Sequence, residues 1–163
     1  MAEKTQVTTN LDERTLLVER VYDAPRDLVF KAWTEPERLK QWFGPKGWTL
    51  PVCKIDFRPG GTWHYCMEGP GGEKSWGLGT YNEIVVPERI VYTDAFSDEQ
   101  GNIADGMPVM AISVEFIDEG GKTRIVSRTN FGTREELESL VQMGMLEGLN
   151  ETWDRLEEYL ASA

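Results

Sequence analysis

Residues 133–161, TREELESLVQMGMLEGLNETWDRLEEYLA, read as one long helix and decide the fold. Thr133 followed by Glu136 forms a capping box, in which hydroxyl and carboxylate satisfy free N–H groups of the first turn. Glu135 and Glu136 lie where the helix dipole favours negative charge. Leu137, Leu140, Val141, Met145, Leu149, Trp153, Leu156 and Leu160 recur at three and four residues and form one apolar stripe. At 1.5 Å per residue such a helix is roughly 42 Å long. Its stripe needs a broad apolar partner, and the strand-rich chain upstream supplies one. The expectation is a long helix laid across a curved sheet. Gly144 and Gly148 interrupt the stripe one turn apart. Each destabilises a helix interior by about 1 kcal/mol relative to Ala. They serve either close approach of helix to sheet or room for a ligand between them. The density of Glu excludes a membrane GxxxG dimer.

Working back from the helix, the chain shows a strand-helix-helix opening and then a long β region. Residues 1–13 read as a flexible lead-in, and 14–163 as a single domain. Arg14–Tyr22 is strand-like. Pro25 opens a helix with Leu28, Val29, Ala32 and Trp33 apolar. Pro36 opens a second with Leu39, Trp42 and Phe43 apolar, ended by Gly44-Pro45-Lys46-Gly47. Leu50–Phe57 and Thr62–Met67 form a hairpin. Pro59 cannot take the positive φ of a two-residue primed turn, so a three-residue loop, Pro59-Gly60-Gly61, is expected. That loop pairs Arg58 with Thr62, Phe57 with Trp63, Ile55 with Tyr65 and Cys53 with Met67. Trp76–Ile84, Ile90–Phe96, Val109–Ile117 and Thr123–Phe131 are further strands. Gly77 and Gly79 thin one face of the first of these. Ser97–Met107 is a loop. The fold class is α+β: seven antiparallel strands, β-α-α-β6-α.

Composition narrows the function. Seventeen basic against 28 acidic side chains give a net charge of −11. Nucleic acid needs a basic stripe and anionic membranes need basic clusters, so neither partner is expected. No apolar run reaches 18 residues, and Met1–Asp12 lacks the apolar core of a secretory signal. A cytoplasmic location with two reduced cysteines follows as an expectation. In the expected register Cys53 faces away from His64 and Cys66, so these three do not gather into a metal site and no disulfide joins the cysteines.

The order of elements resembles the helix-grip fold of START-related and birch-pollen-allergen-like domains, the SRPBCC superfamily. Within it, VYDAPRDLVFKAWTEPERLKQWFGPKGWT (21–49), IDFRPGGTWHYCMEGPGG (55–72), GTYNEIVVPERIVYT (79–93) and LEGLNETWDRLEEYL (146–160) resemble proteins homologous to the C-terminal domain of the activator of heat-shock protein 90 ATPase. Leu149-Asn150 stands where many relatives carry Gly-Trp, which alters one wall or entrance of a cavity. Stand-alone relatives are inferred to bind small apolar molecules, and the resemblance implies no cofactor.

Three functions are weighed on this basis. The first is a small-molecule pocket between sheet and helix, lined by Trp33, Trp63, Tyr65, Trp76, Met110, Ile112, Phe131, Met143, Met145 and Trp153, with Ser127 and Thr129 as orienting polar groups. A packed core is the plain alternative for each of these residues. The second is protein interaction, as a chaperone cofactor or a stress-response partner. The third is a cyclase- or hydrolase-like enzyme, for which Asp56, Arg58 and Glu68 are the available acid–base groups and no catalytic set can be assembled. A homodimer is compatible with each.

Overall fold

The computed structural model describes residues 5–106 and 109–163. Eight strands and four helices follow one another as β1 (Gln6–Asn10), β2 (Thr15–Tyr22), α1 (Arg26–Thr34), α2 (Pro36–Leu39), β3 (Thr49–Ile55), β4 (Thr62–Glu68), β5 (Lys74–Val85), β6 (Arg89–Phe96), β7 (Val109–Asp118), β8 (Thr123–Asn130), α3 (Arg134–Gln142) and α4 (Met145–Ser162). The strands form one antiparallel sheet in the order β1-β2-β8-β7-β6-β5-β4-β3.

Period-two alternation sets the inner face of the sheet. Leu16, Val18 and Tyr22 of β2, Val114 and Phe116 of β7, and Ile125 of β8 are all buried there. The aromatic side chains of the helical segment pack onto it. Phe30 of α1 meets Phe116 edge-on at 5.1 Å, and Trp33 lies 5.2 Å from Trp42 and 6.3 Å from Trp153 of α4. Trp42 is fully buried and donates its indole N–H to the Ala32 carbonyl. Helix α4 is anchored at both ends of this layer. The Tyr22 hydroxyl donates to the Trp153 carbonyl, and Arg155 donates to the carbonyls of Gly44, Pro45 and Trp48. Arg20, buried on the inner face, pairs with Asp154 at 2.6 Å and Glu157 at 3.2 Å.

Four expectations are corrected. First, the lead-in contains a strand. Gln6–Asn10 pairs with Thr15–Glu19, and the buried hydroxyl of Thr5 accepts from Arg20. Only Val7 in QVTTN is apolar, so this edge strand lacks the alternation that marks the others; its polar side chains suit an exposed edge. The sheet therefore has eight strands. Residues 1–4 of that lead-in, and Met107 at the end of the expected loop, lie outside the described residues.

Second, the hairpin register is displaced by two. Ile55 faces Trp63 and Cys53 faces Tyr65. The cause is the third strand: Gly60 N–H donates to the Tyr81 carbonyl and Tyr81 N–H to the Gly61 carbonyl, which draws the loop onto β5. Phe57 is released to pack on Phe30 and Tyr81. A shift of two preserves which face each side chain takes. Cys53 and Cys66 thus stay on opposite faces, both as free thiols.

Third, the long helix is two helices. Gly144 has φ +93°, a left-handed conformation that closes α3, with its N–H donating to the Val141 carbonyl. Helix α4 starts immediately after it. Fourth, α2 ends at Leu39, so Trp42 and Phe43 lie in the turn beyond it.

Candidate functional site

Between the inner face of the sheet, the turn after α2 and helix α4 lies a cavity of about 430 Å³, open to solvent. The local sequence makes room for it on β5. A Cβ on Gly77 would lie 2.3 Å from Tyr65 Cζ, so the tyrosine ring crosses β5 through the gap that glycine leaves. Gly77 faces Tyr65 in register, and Gly79 faces Asp94 of β6. The Tyr65 hydroxyl therefore passes over β5 and donates to the Asp94 carboxylate, 3.1 Å from Oδ1 and 3.0 Å from Oδ2.

Asp94 is the one carboxyl in the cavity wall among the described residues, and no Lys, Arg or His of those residues borders the cavity. It is half-buried, and its accessible surface faces the cavity. Desolvation pushes its carboxyl up to about 7, against the opposing effect of hydrogen bonds from Tyr65 and the Ala95 backbone. No cation pairs with it among the described residues. Tyr65 and Tyr92 are held well above the ordinary phenol range, first by burial and then by the Asp94 charge. A second polar feature lies in the same wall. The buried indole N–H of Trp33 has no hydrogen-bond partner among the described residues.

Of the residues expected in a pocket, Trp33, Tyr65, Trp76, Met110, Ile112, Ser127, Thr129, Met143, Met145 and Trp153 border the cavity. Trp76 does so with its ring turned to the other face of the sheet, where it stacks on His64 at 5.1 Å. Its register partner is Cys66, whose face is opposite to that of Tyr65. Met143, at the helix break, is 71% exposed and stands at the mouth. Trp63 and Phe131 do not border the cavity. Trp63 is buried behind Tyr65, with ring centroids 4.6 Å apart, and Phe131 is buried at the end of β8. Asp56 and Arg58 pair with each other on the surface at 2.8 Å. Glu68 ends β4 in a half-buried position and does not border the cavity. Among the described residues no three of His, Cys, Asp and Glu gather to hold a metal.

Asp94 was missed by sequence reasoning, although a signal existed. In β6 the residues Ile90, Tyr92 and Asp94 share one face, so a carboxyl continues an apolar series. Phe43, Pro45 and Thr152 were missed because a turn and a helix break bring them to the mouth. Gly144 and Gly148 both border the cavity and have different local reasons. Gly144 supplies a positive φ. Gly148 has ordinary helical φ and faces the turn after α2, where a Cβ would just touch Pro45 Cγ at 3.4 Å.

The same fold occurs in solved structures of similar sequence. Protein Ms6760 from Mycobacterium smegmatis is 29% identical over 96% of each chain, with a TM-score of 0.87. A protein from Arthrobacter aurescens is 26% identical over 99% of this chain and 94% of its own, with a TM-score of 0.91. Protein NE0264 from Nitrosomonas europaea is 32% identical over 92% of this chain and 96% of its own, with a TM-score of 0.81. No curated protein matches the chain. Residues 23–161 match the family model for Activator of Hsp90 ATPase homolog 1-like protein, and the chain belongs to that family.

Proposed function

We propose that this domain binds a small, mainly apolar molecule in the cavity between the sheet and α4. The observation that carries the reading is the cavity itself. Its volume of about 430 Å³ lies in the range of small-molecule sites. Its wall is largely aromatic and aliphatic, with a few polar residues: Asp94 with Tyr65, Ser127 and Thr129. A packed core would fill such a space, because interiors leave few voids larger than a water. Four methionines, Met67, Met110, Met143 and Met145, give the wall side chains that adapt to irregular shapes. A role as a cofactor of a heat-shock chaperone is the second reading, and the family description is what favours it.

The test is binding of a neutral lipophilic dye such as Nile red. The folded protein takes up the dye with saturable fluorescence. Met110→Trp, which fills the space opposite Asp94, lowers that affinity at least tenfold while circular dichroism and melting stay near wild type. Absence of saturable binding, or undiminished binding by the folded variant, would sink the reading.

A further inference from the structure

We propose that the ligand of this cavity carries a protonated amine, which pairs with Asp94 while its apolar body lies among the aromatic rings. This inference rests on the cavity being a binding site and adds the chemical class of what it binds.

The argument begins with charge. Asp94 is half-buried, and a carboxylate that has lost part of its hydration gains from a cationic partner when it is ionised. Asp94 receives hydrogen bonds from the Tyr65 hydroxyl and the Ala95 backbone but has no cation among the described residues. The groups around it do not provide one. Tyr65 faces it from β4, and Tyr81 and Tyr92 from β5 and β6; none carries positive charge. Across the β6–β7 ladder stands Met110. From α4, Arg155 is turned away to the carbonyls of Gly44, Pro45 and Trp48, and Asp154 to Arg20. When the carboxyl is ionised, no side chain among the described residues offsets its charge, and a cation on the ligand would do so.

The rings point to the same class. Trp33, Phe43, Tyr65, Tyr92 and Trp153 line the cavity. Aromatic faces attract ammonium groups through their quadrupoles, and the attraction strengthens when water is excluded. An anionic ligand would meet the Asp94 charge with no basic side chain in the wall to receive it. A neutral alcohol would donate one hydrogen bond to the carboxylate, while an amine satisfies both the charge and the π faces. The ionisation of Asp94 near neutral pH adds a dependence on pH: the amine preference grows as the carboxyl deprotonates.

The test uses matched amine, alcohol and carboxylic acid probes on three bodies, octyl, naphthylmethyl and adamantylmethyl, titrated by calorimetry. At pH 8 the amine of the best-fitting body binds at least tenfold more tightly than its alcohol, and the acid binds most weakly. Asp94→Asn removes the amine preference, so that amine and alcohol of the same body bind within about twofold of each other. At pH 5.5 the wild-type preference shrinks toward that of the variant. Equal affinity of amine and alcohol, a preference for the acid, or an amine preference that survives Asp94→Asn would overturn the proposal while leaving the cavity reading intact. Failure of every probe on every body would overturn both.

Discussion

Gly77→Ala tests the geometry on which the site depends. The new Cβ would lie 2.3 Å from Tyr65 Cζ and 2.4 Å from its hydroxyl oxygen. Carbon–carbon contact needs about 3.5 Å, so the ring must retreat by roughly 1.2 Å. Trp63 lies behind the ring at 4.6 Å and Phe43 beside it at 5.6 Å, so the free direction is into the cavity. That movement takes the hydroxyl out of hydrogen-bonding range of Asp94. Losing a hydrogen bond to a charged group costs about 1.5–3 kcal/mol, and residual overpacking adds about 1 kcal/mol. Replacing a strand glycine returns about 0.5–1 kcal/mol. The expected net loss is about 2–3 kcal/mol, a melting decrease of roughly 4–12 °C for a domain of this size. Urea denaturation at pH 8 measures the free energy directly. The same substitution in a Tyr65→Leu background removes the obstructing ring and should cost less than about 0.5 kcal/mol. A Gly77→Ala protein as stable as wild type would refute the reasoning, as would an equal penalty in both backgrounds.

Further outcomes follow at Asp94 and at the helix break. Asp94 holds its proton up to about 7 in the folded chain but releases it at ordinary carboxylate pH when unfolded, so stability present below pH 4 is lost as pH rises toward 7. The full loss is on the order of 4 kcal/mol. Asp94→Asn keeps an acceptor for Tyr65, so urea denaturation should find it more stable than wild type at pH 8 and lose that advantage at pH 4; an unchanged difference between the two pH values would exclude the buried carboxyl as the cause. At the helix break, Gly144→Leu should destabilise by about 1–2 kcal/mol because of its positive φ, and Gly144→Asn by less. Gly148→Leu should cost about 1–3 kcal/mol against Pro45. Melting curves with Gly144→Leu at wild-type stability would contradict the left-handed conformation.

Periodicity made most of the fold legible. The strands expected over 109–117 and 123–131 are present as β7 and β8, and the Thr133–Glu136 cap appears with Glu136 N–H donating to the Thr133 hydroxyl. What periodicity could not give was anything set by a third element. The hairpin loop obeys β5 rather than its own turn preference, because Tyr81 offers its glycines a ladder. The helix stripe continues in phase through Gly144, since a single left-handed residue changes direction without changing which residues are apolar. Strand β1 has too little apolar content to show itself apart from the β2 edge on which it forms.

The cavity was legible as a set of side chains, whereas its chemistry was not. Apolar patterning identifies inward positions by their being apolar, so it passes over an inward carboxyl. Local agreement between sequence and structure is expected to fail where function demands a residue that the fold would not choose. Asp94 is such a residue. It raises the free energy of the folded chain at neutral pH, it pairs with no cation among the described residues, and a neighbouring strand carries a glycine that lets Tyr65 reach it. Packing alone does not account for this combination, because an apolar residue at position 94 would need neither the tyrosine hydroxyl nor the gap at Gly77. The proposed amine site would account for all three together: the carboxyl would receive the charge, Tyr65 would orient the carboxyl, and Gly77 lets the ring stand where it can do so.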